Sequence, residues 1–219
     1  MQAGIIGGTG PAGRALAVRL GANGVSVLLG SRDRARGEEV AAEVIAEAGT
    51  FGLDIVGVDN ATAAGAEVVV LATPWDGAVS TARDHAETLS GKVVVSMVNA
   101  LARVGNEFQA LVPARGSIAA SVQAVLPGSR VTAAFQHLPA RELGDLAHAL
   151  DCDVLVCADD REAGEVTGRL VEAVPGLRAV QAGSLASANA VEALTAVLLN
   201  VNIRYKTHVA VKLPGLPER

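Results

Sequence analysis

Apolar runs alternate with helical periodicity along almost the whole chain. Ala3 to Ile6 predicts a first strand, and Pro11 to Leu20 a helix whose apolar positions include Leu16, Val18 and Leu20. Val25 to Leu29 predicts a second strand, and Arg34 to Ala48 a charged, alanine-rich helix. Further strands are expected at Asp54 to Val58, Glu67 to Ala72, Lys92 to Val98 and Val131 to Phe135, with helices at Trp75 to Leu89 and Ile118 to Val125. The strands are unbroken hydrophobic runs, not period-2 alternations, which marks a parallel sheet covered on both faces. Alternating β and α units with short connections then predict a doubly wound α/β fold with right-handed crossovers.

Two stretches depart from this rhythm. Asn99 to Gly116, with Arg103, Gly105, Pro113 and Arg115, carries no clear period and is expected to be a long functional loop. Beyond a helical or irregular stretch, Arg141 to Leu150, come a strand at Asp153 to Val156, a helix at Glu162 to Val174 and a short strand at Arg178 to Gln181. A long apolar helix, Ser184 to Ile203, ends the pattern. It is hydrophobic on more than one face, yet Asn189, Glu192, Asn200 and Asn202 interrupt it, so it is read as a buried or dimer-forming helix and not a membrane span. The expected organisation is a nucleotide-binding domain over 1–150 and a small C-terminal α/β extension over 151–219.

Composition narrows the picture. Of the 219 residues, 50% are hydrophobic and only 2% aromatic, so Ala, Val and Leu must build the core. The formal net charge of −5 gives no electrostatic reason to expect nucleic acid, and no basic stretch suggests a membrane surface. Cys152 and Cys157, the two cysteines, lie in an apolar segment and read as buried strand residues; two thiols suit a reducing cytosol. No basic region followed by a long apolar run opens the chain, so no signal peptide is expected and the localisation is read as cytoplasmic.

The strongest local signal is Gly8-Thr9-Gly10-Pro11-Ala12-Gly13, which fits G-x-G-x-x-G between a strand and a helix. The first glycine permits a tight turn, the second admits a pyrophosphate, and the third lets helix and strand pack closely. The helix N-terminus offers unpaired N–H groups and a positive dipole end to the anion. Pro11 suits the first helical turn, where its missing N–H costs nothing. These features predict a Rossmann-type dinucleotide-binding domain.

NAD-binding proteins of this kind end the second strand with a carboxylate for the ribose hydroxyls. Here that place is Gly30-Ser31-Arg32, followed by Asp33, Arg34 and Arg36. A hydroxyl and a guanidinium there would donate charge-assisted hydrogen bonds to a 2′-phosphate, which predicts NADP over NAD. Ser31 and Arg32 are the expected principal contacts and Arg36 a helper.

Gly7-Gly8-Thr9-Gly10, Gly30-Ser31-Arg32, Pro74-Trp75 and Leu138-Pro139-Ala140 stand in the order seen in NADPH-dependent coenzyme F-420 reductases, and Glu192 to Asn200 is similar as well. The chain resembles that family over nearly its whole length. The resemblance implies hydride exchange between NADP(H) and an 8-hydroxy-5-deazaflavin in a small homodimer. It implies cofactor contacts at Thr9 to Ala12, Ser31, Arg32, Arg36, Thr73, Gly77, Asn99 and Ala140. It departs from the archaeal members at Gln136-His137, where they tend to have the histidine one place earlier, and in the loop from Ala100 to Gly116.

Ligands on doubly wound sheets sit at the carboxyl ends of strands, so Thr73-Pro74-Trp75, Asn99 and Gln136 to Ala140 are expected to converge there. Pro74 and Trp75 are read as an apolar wall beside the nicotinamide, Trp75 having a core anchor as its other reading. His137 is the histidine placed near the site, as a polar wall or a donor to the deazaflavin, while His85 and His148 are read as surface residues. Direct hydride transfer needs neither a catalytic triad nor a metal, and neither is expected; no general acid or base is assigned. The resemblance implies a phosphate-linked, glutamate-bearing tail on the second substrate, which Arg103, Arg115 and Arg141 could meet. Two other readings stay open: an NADPH-dependent reductase of flavin, ferric chelate or a small carbonyl compound, and a non-catalytic NADP(H) sensor.

Overall fold

Valine-rich segments supply the strands that position everything else. A computed structural model describes residues 1–216. In chain order the elements are β1 (Gln2–Ile6), α1 (Pro11–Gly21), β2 (Ser26–Ser31), α2 (Arg34–Ala48), β3 (Ile55–Asp59), α3 (Asn60–Ala63) and β4 (Val68–Leu71). Then follow α4 (Trp75–Asp84), α5 (Ala86–Leu89), β5 (Val93–Ser96), β6 (Leu101–Val104), β7 (Glu107–Ala110), α6 (Ile118–Val125) and β8 (Arg130–Ala133). The last are α7 (Ala140–Gly144), β9 (Cys152–Ala158), α8 (Arg161–Glu172), β10 (Leu177–Gln181) and α9 (Ala188–Tyr205), the latter entered through a single 3-10 turn at Leu185–Ser187.

Eight strands form one sheet in the order β10-β9-β8-β5-β4-β1-β2-β3. The pairs from β3 across to β8 are all parallel. The order reverses beside β1, which leaves a crevice at the carboxyl ends of β1 and β4, the place where doubly wound sheets bind ligands. The expected Rossmann-type α/β fold is therefore the observed one. The sheet continues through β9, which runs antiparallel to β8, and β10, which runs parallel to β9.

Successive strand residues point to opposite faces, and both faces are apolar. Val68, Val70, Val93 and Val95 join one core cluster with Leu16, Leu20 and Val40; Val69, Leu71 and Val94 join the other with Ile118, Val122 and Leu89. Double-sided burial is why these strands read as continuous hydrophobic runs. Cys152 and Cys157 lie buried in β9, and burial pushes both thiols up to about 11.

Two expectations need correction. The stretch read as an irregular loop contains the β6–β7 hairpin, paired antiparallel from Leu101↔Ala110 to Val104↔Glu107. The helix expected from Trp75 to Leu89 is two helices, broken at His85, whose φ of −111° and ψ of 14° leave the helical region. The Arg141 to Leu150 stretch, expected to be helical or irregular, is both: it lies in the short helix α7 up to Gly144 and then continues without regular structure.

The segment Leu185–Tyr205 is long and apolar enough to cross a membrane by length and composition, with a mean hydropathy of 1.2. One face of α9 is nonetheless buried through Ala188, Val191, Glu192, Thr195 and Ala196. The Glu192 carboxylate accepts the N–H groups of Ile118 and Ala119 at 2.9 and 3.1 Å, and so caps α6 from outside.

Candidate functional site

The glycine-rich turn leaves β1 at Gly7, which takes φ +75°, a conformation that a side chain disfavours. The Asn60 side chain, buried on α3, accepts the Gly7 N–H at 3.1 Å, and the Gly8 N–H donates to the carbonyls of Ile5 and Gly30. These bonds fix the turn and tie it to the end of β2. A Cβ on Gly8 would meet the Ile5 carbonyl at 2.9 Å, and one on Gly13 would meet the Gly8 Cα at 2.8 Å. A Cβ on Gly10 would find nothing closer than 3.6 Å. The first and third glycines are thus required by packing, while at the second a Cβ would make only ordinary van der Waals contacts.

The N-cap of α1 is Gly10, and no side chain caps this helix. By contrast, α2, α3, α6 and α8 are capped by Asp33, Asp59, Ser117 and Asp160. The first N–H groups of α1 are therefore left without an intrahelical partner at the positive end of the helix dipole. The helices α4 and α7, which begin at Pro74 and Pro139, are likewise uncapped by side chains.

A cleft of about 760 Å³ opens in front of α1. Of the residues singled out in the sequence, Thr9, Gly10, Ser31, Arg32, Arg36, Thr73, Pro74 and Gly77 line it. Gly8, Pro11, Ala12 and Gly13 form the turn and first helical turn beside it. Asn60, Asp76 and Thr81 also line it and were missed; Asn60 was recognisable only through its bond to Gly7, which no local pattern announces.

The rim at the end of β2 has a definite electrostatic layout. Ser31 is buried, and its Oγ accepts the Asp33 N–H at 3.4 Å. The Asp33 carboxylate caps α2 by accepting the Arg36 N–H at 3.2 Å. Arg34 is paired with Glu38 and Arg36 with Glu39, at 3.0 and 2.6 Å. Arg32 lines the cleft with no ion pair among the described residues. Across the cleft, Thr73 keeps a buried Oγ1 with no hydrogen-bond partner among the described residues.

Asn99, His137 and Ala140 do not line this cleft; they sit beyond the ends of β5 and β8. Asn99 donates from Nδ2 to the Gln136 carbonyl at 2.9 Å, and Thr195 donates to the same carbonyl at 3.1 Å, joining both loops to α9. Phe135 adopts φ +70° and turns the chain away from β8. The His137 ring, 3% exposed, replaces the missing strand partner by accepting the Leu155 N–H at Nε2, 3.1 Å. Its Nδ1 therefore carries the proton and is buried with no partner among the described residues. Burial pushes this imidazole down to about 4, so it is neutral. Ala140 opens α7 and packs with Ala12 and Leu138 against the first core cluster. Trp75 opens α4 and is 41% exposed, so it is not a core anchor. Arg103, Arg115 and Arg141 are exposed. Among the described residues no cluster of three or more His, Cys, Asp or Glu side chains is placed to hold a metal ion.

This geometry can hold an extended dianionic ligand. The chain matches the family described as coenzyme F420-dependent NADP oxidoreductases over residues 2–100. It is 39% identical to a protein of Methanocaldococcus jannaschii named F420-dependent NADP reductase, over 94% of this chain and 95% of that one. It belongs to this family. The likeness extends to a protein of the same name from Methanothermobacter thermautotrophicus, 33% identical over 100% of this chain and 97% of that one. Among solved structures, a protein from Arthrobacter sp. FB24 superposes with a TM-score of 0.81 at 23% identity, covering 97% of this chain and 98% of that one, which speaks for the fold. A hypothetical protein from Sinorhizobium meliloti gives a TM-score of 0.68 at 26% identity, covering 86% of this chain and 87% of that one.

Proposed function

We propose that this member of the F420-dependent NADP oxidoreductase family transfers a hydride between NADP(H) and the deazaflavin coenzyme F-420. One observation carries the proposal: the uncapped amino end of α1 stands in one cleft with Ser31 and the guanidinium of Arg32, which has no ion pair among the described residues. The first can take a pyrophosphate on backbone N–H groups. The second pair can donate to a ribose 2′-phosphate, which NADP carries and NAD lacks. Asp33, the nearest carboxylate, accepts the Arg36 N–H and so cannot serve the ribose as freely as an unengaged one.

When bound, NADPH supplies the hydride and the deazaflavin accepts it; the protein binds, orients and excludes water. Thr9, Gly10, Pro11 and Ala12 hold the diphosphate, with Gly8 and Gly13 shaping the turn. Ser31 and Arg32 hold the 2′-phosphate, assisted by Arg36. Thr73, Pro74, Trp75 and Gly77 border the nicotinamide, and Asn99 and Ala140 complete that side. His137 supports this wall from within. Its neutral ring is bonded to the β9 backbone, so it gives up no proton at working pH. No general acid or base is assigned.

The protein acts as a cytosolic homodimer free of membrane and nucleic acid. Supporting this, Val104, Val112, Val197, Ile203 and Tyr205 on the hairpin side and on α9 are exposed, and a cavity of about 530 Å³ lies between the hairpin turn and α9. A second copy would cover this apolar face. The buried Glu192 on the opposite face of α9 fits a packed helix better than a membrane span.

The test is an anaerobic assay with NADPH against coenzyme F-420 and FMN side by side. Loss of the deazaflavin's visible absorbance is the expected result. Reduction of FMN alone would move the activity to the flavin class, and tight NADPH binding with no acceptor reduced would mark a sensor.

A further inference from the structure

Arg19 is a charged residue 6% exposed, near the end of α1, and among the described residues it has no carboxylate partner. Its guanidinium instead donates only to backbone carbonyls. Nε donates to Leu143 at 2.8 Å; Nη2 to Glu142 at 2.7 Å, Asp145 at 2.6 Å and His148 at 3.3 Å; and Nη1 to His148 at 3.2 Å. Three of these carbonyls, at Glu142, Leu143 and Asp145, sit at the carboxyl end of α7, where the dipole is negative; those of Glu142 and Asp145 also accept the N–H groups of Asp145 and His148, at 3.3 and 3.0 Å. One turn earlier on α1, Ala15 packs against Gly144, close enough that a Cβ there would lie 3.4 Å from the Ala15 Cβ. A buried guanidinium is costly unless its donors are met, and here they are met by one chain segment.

The same helix, α1, begins at the phosphate-binding turn, and the segment that Arg19 holds begins at Ala140. We infer that Arg19 is a positioning residue that couples the dinucleotide turn to the segment 139–148, so that occupation of the cleft orders the nicotinamide side of the site. This inference rests on the reading of the cleft as an NADP(H) site. Arg19 touches neither cleft nor ligand; it acts through α7. Without the guanidinium, the Leu143 and His148 carbonyls lose the donor they share, and what joins α7 to α1 is apolar packing, with buried Leu143 in the core and Gly144 against Ala15.

Amide hydrogen exchange of the full-length protein, with and without saturating NADP+, tests the coupling. In the wild type NADP+ slows exchange over 139–148 by at least about threefold. In Arg19→Met the NADP+ dissociation constant stays within about threefold of wild type while that ligand-induced slowing is lost. Arg19→Lys, which keeps the charge and three donors, restores part of it and serves as the test variant if Arg19→Met does not fold. A residue with only a structural role would raise exchange equally with and without nucleotide and leave the ligand-induced difference intact. Persistence of the slowing in the variants, or NADP+ binding to the wild type without any slowing over 139–148, overturns the inference alone. Failure of the wild type to bind NADP+ overturns the cleft reading and the inference with it.

Discussion

Asn200 grips the backbone of Phe108 with both ends of its side-chain amide: Oδ1 accepts the Phe108 N–H at 2.7 Å, and Nδ2 donates to the Phe108 carbonyl at 2.8 Å. The amide does for β7 what a neighbouring strand would do, and it is how the two-stranded hairpin is fastened to α9. An isolated hairpin of this size is marginal by itself.

Asn200→Ala should therefore lower stability by about 1–3 kcal/mol, since two backbone groups lose their partners at once. Asn200→Asp should be destabilising as well, because it keeps the acceptor and replaces the donor with an oxygen facing the Phe108 carbonyl. Urea unfolding followed by circular dichroism reads both. The pair also holds the hairpin against the face assigned to the dimer, so sedimentation of Asn200→Ala should show a weaker self-association. Unchanged unfolding midpoints would show that the hairpin is held by other means.

The strands of the parallel sheet were legible because each is buried on both faces, and burial leaves an uninterrupted apolar run. The cleft residues Thr9, Gly10, Ser31 and Arg32 were legible because they follow strands within a short-range pattern whose spacing the chemistry dictates. The hairpin was not, although Gly105-Asn106 stands between two four-residue strands and Gly105 takes φ +60° at the first turn position, where a type II′ turn favours glycine. Its strands are too short and too exposed to show a period. Arg19 and Asn60 were illegible for another reason. Both act through partners more than 50 positions away, and nothing in an Arg within a helix or an Asn after a strand announces a distant carbonyl or amide.

Two glycines of the turn, Gly10 and Gly13, should separate by experiment. Gly13→Ala forces a Cβ to within 2.8 Å of the Gly8 Cα, backbone that cannot yield easily, so the variant should lose about 1–3 kcal/mol of stability. Gly10→Ala meets nothing closer than 3.6 Å and should unfold as the wild type does, yet bind NADPH at least about tenfold more weakly, because the methyl projects into the space reserved for the diphosphate. Thermal unfolding and fluorescence titration together decide this. Normal NADPH affinity in Gly10→Ala would mean that the diphosphate does not approach that backbone.

His137 supplies a pH signature. Its ordinary pKa of 6.5 holds in the unfolded chain, and burial lowers it to about 4 in the fold, with the ring kept neutral. Folding thus disfavours the protonated form. The stability linked to this ring is whole above pH 6.5 and drains away as the pH falls from 6.5 towards 4, by an amount on the order of 3 kcal/mol. His137→Gln, whose Oε1 stands near the place of the ring's Nε2 and can still accept the Leu155 N–H, removes the titration. Urea unfolding between pH 7.5 and 4.5 should show the wild type losing stability more steeply than the variant. Parallel profiles would mean that the ring reaches solvent and protonates at its ordinary pKa.

Selectivity between the two nicotinamide nucleotides should rest on Arg32, because the other guanidinium groups of that rim are occupied. Arg34 is bonded to Glu38, and Arg36 to Glu39 with Glu43 behind it at 3.9 Å. Arg32→Ala should weaken NADPH by about 1–3 kcal/mol, roughly fivefold to 150-fold, the span of a charge-assisted hydrogen bond. NADH, which lacks the 2′-phosphate, should change by less than about twofold. Arg36 must leave Glu39 before it can assist, so Arg36→Ala should cost less than Arg32→Ala, and Glu39→Ala should tighten NADPH by freeing the Arg36 guanidinium. Titration of the three variants with both nucleotides at fixed ionic strength gives the answer. Equal losses of NADPH and NADH in Arg32→Ala would remove Arg32 from the 2′-phosphate and place nucleotide selectivity elsewhere on the rim.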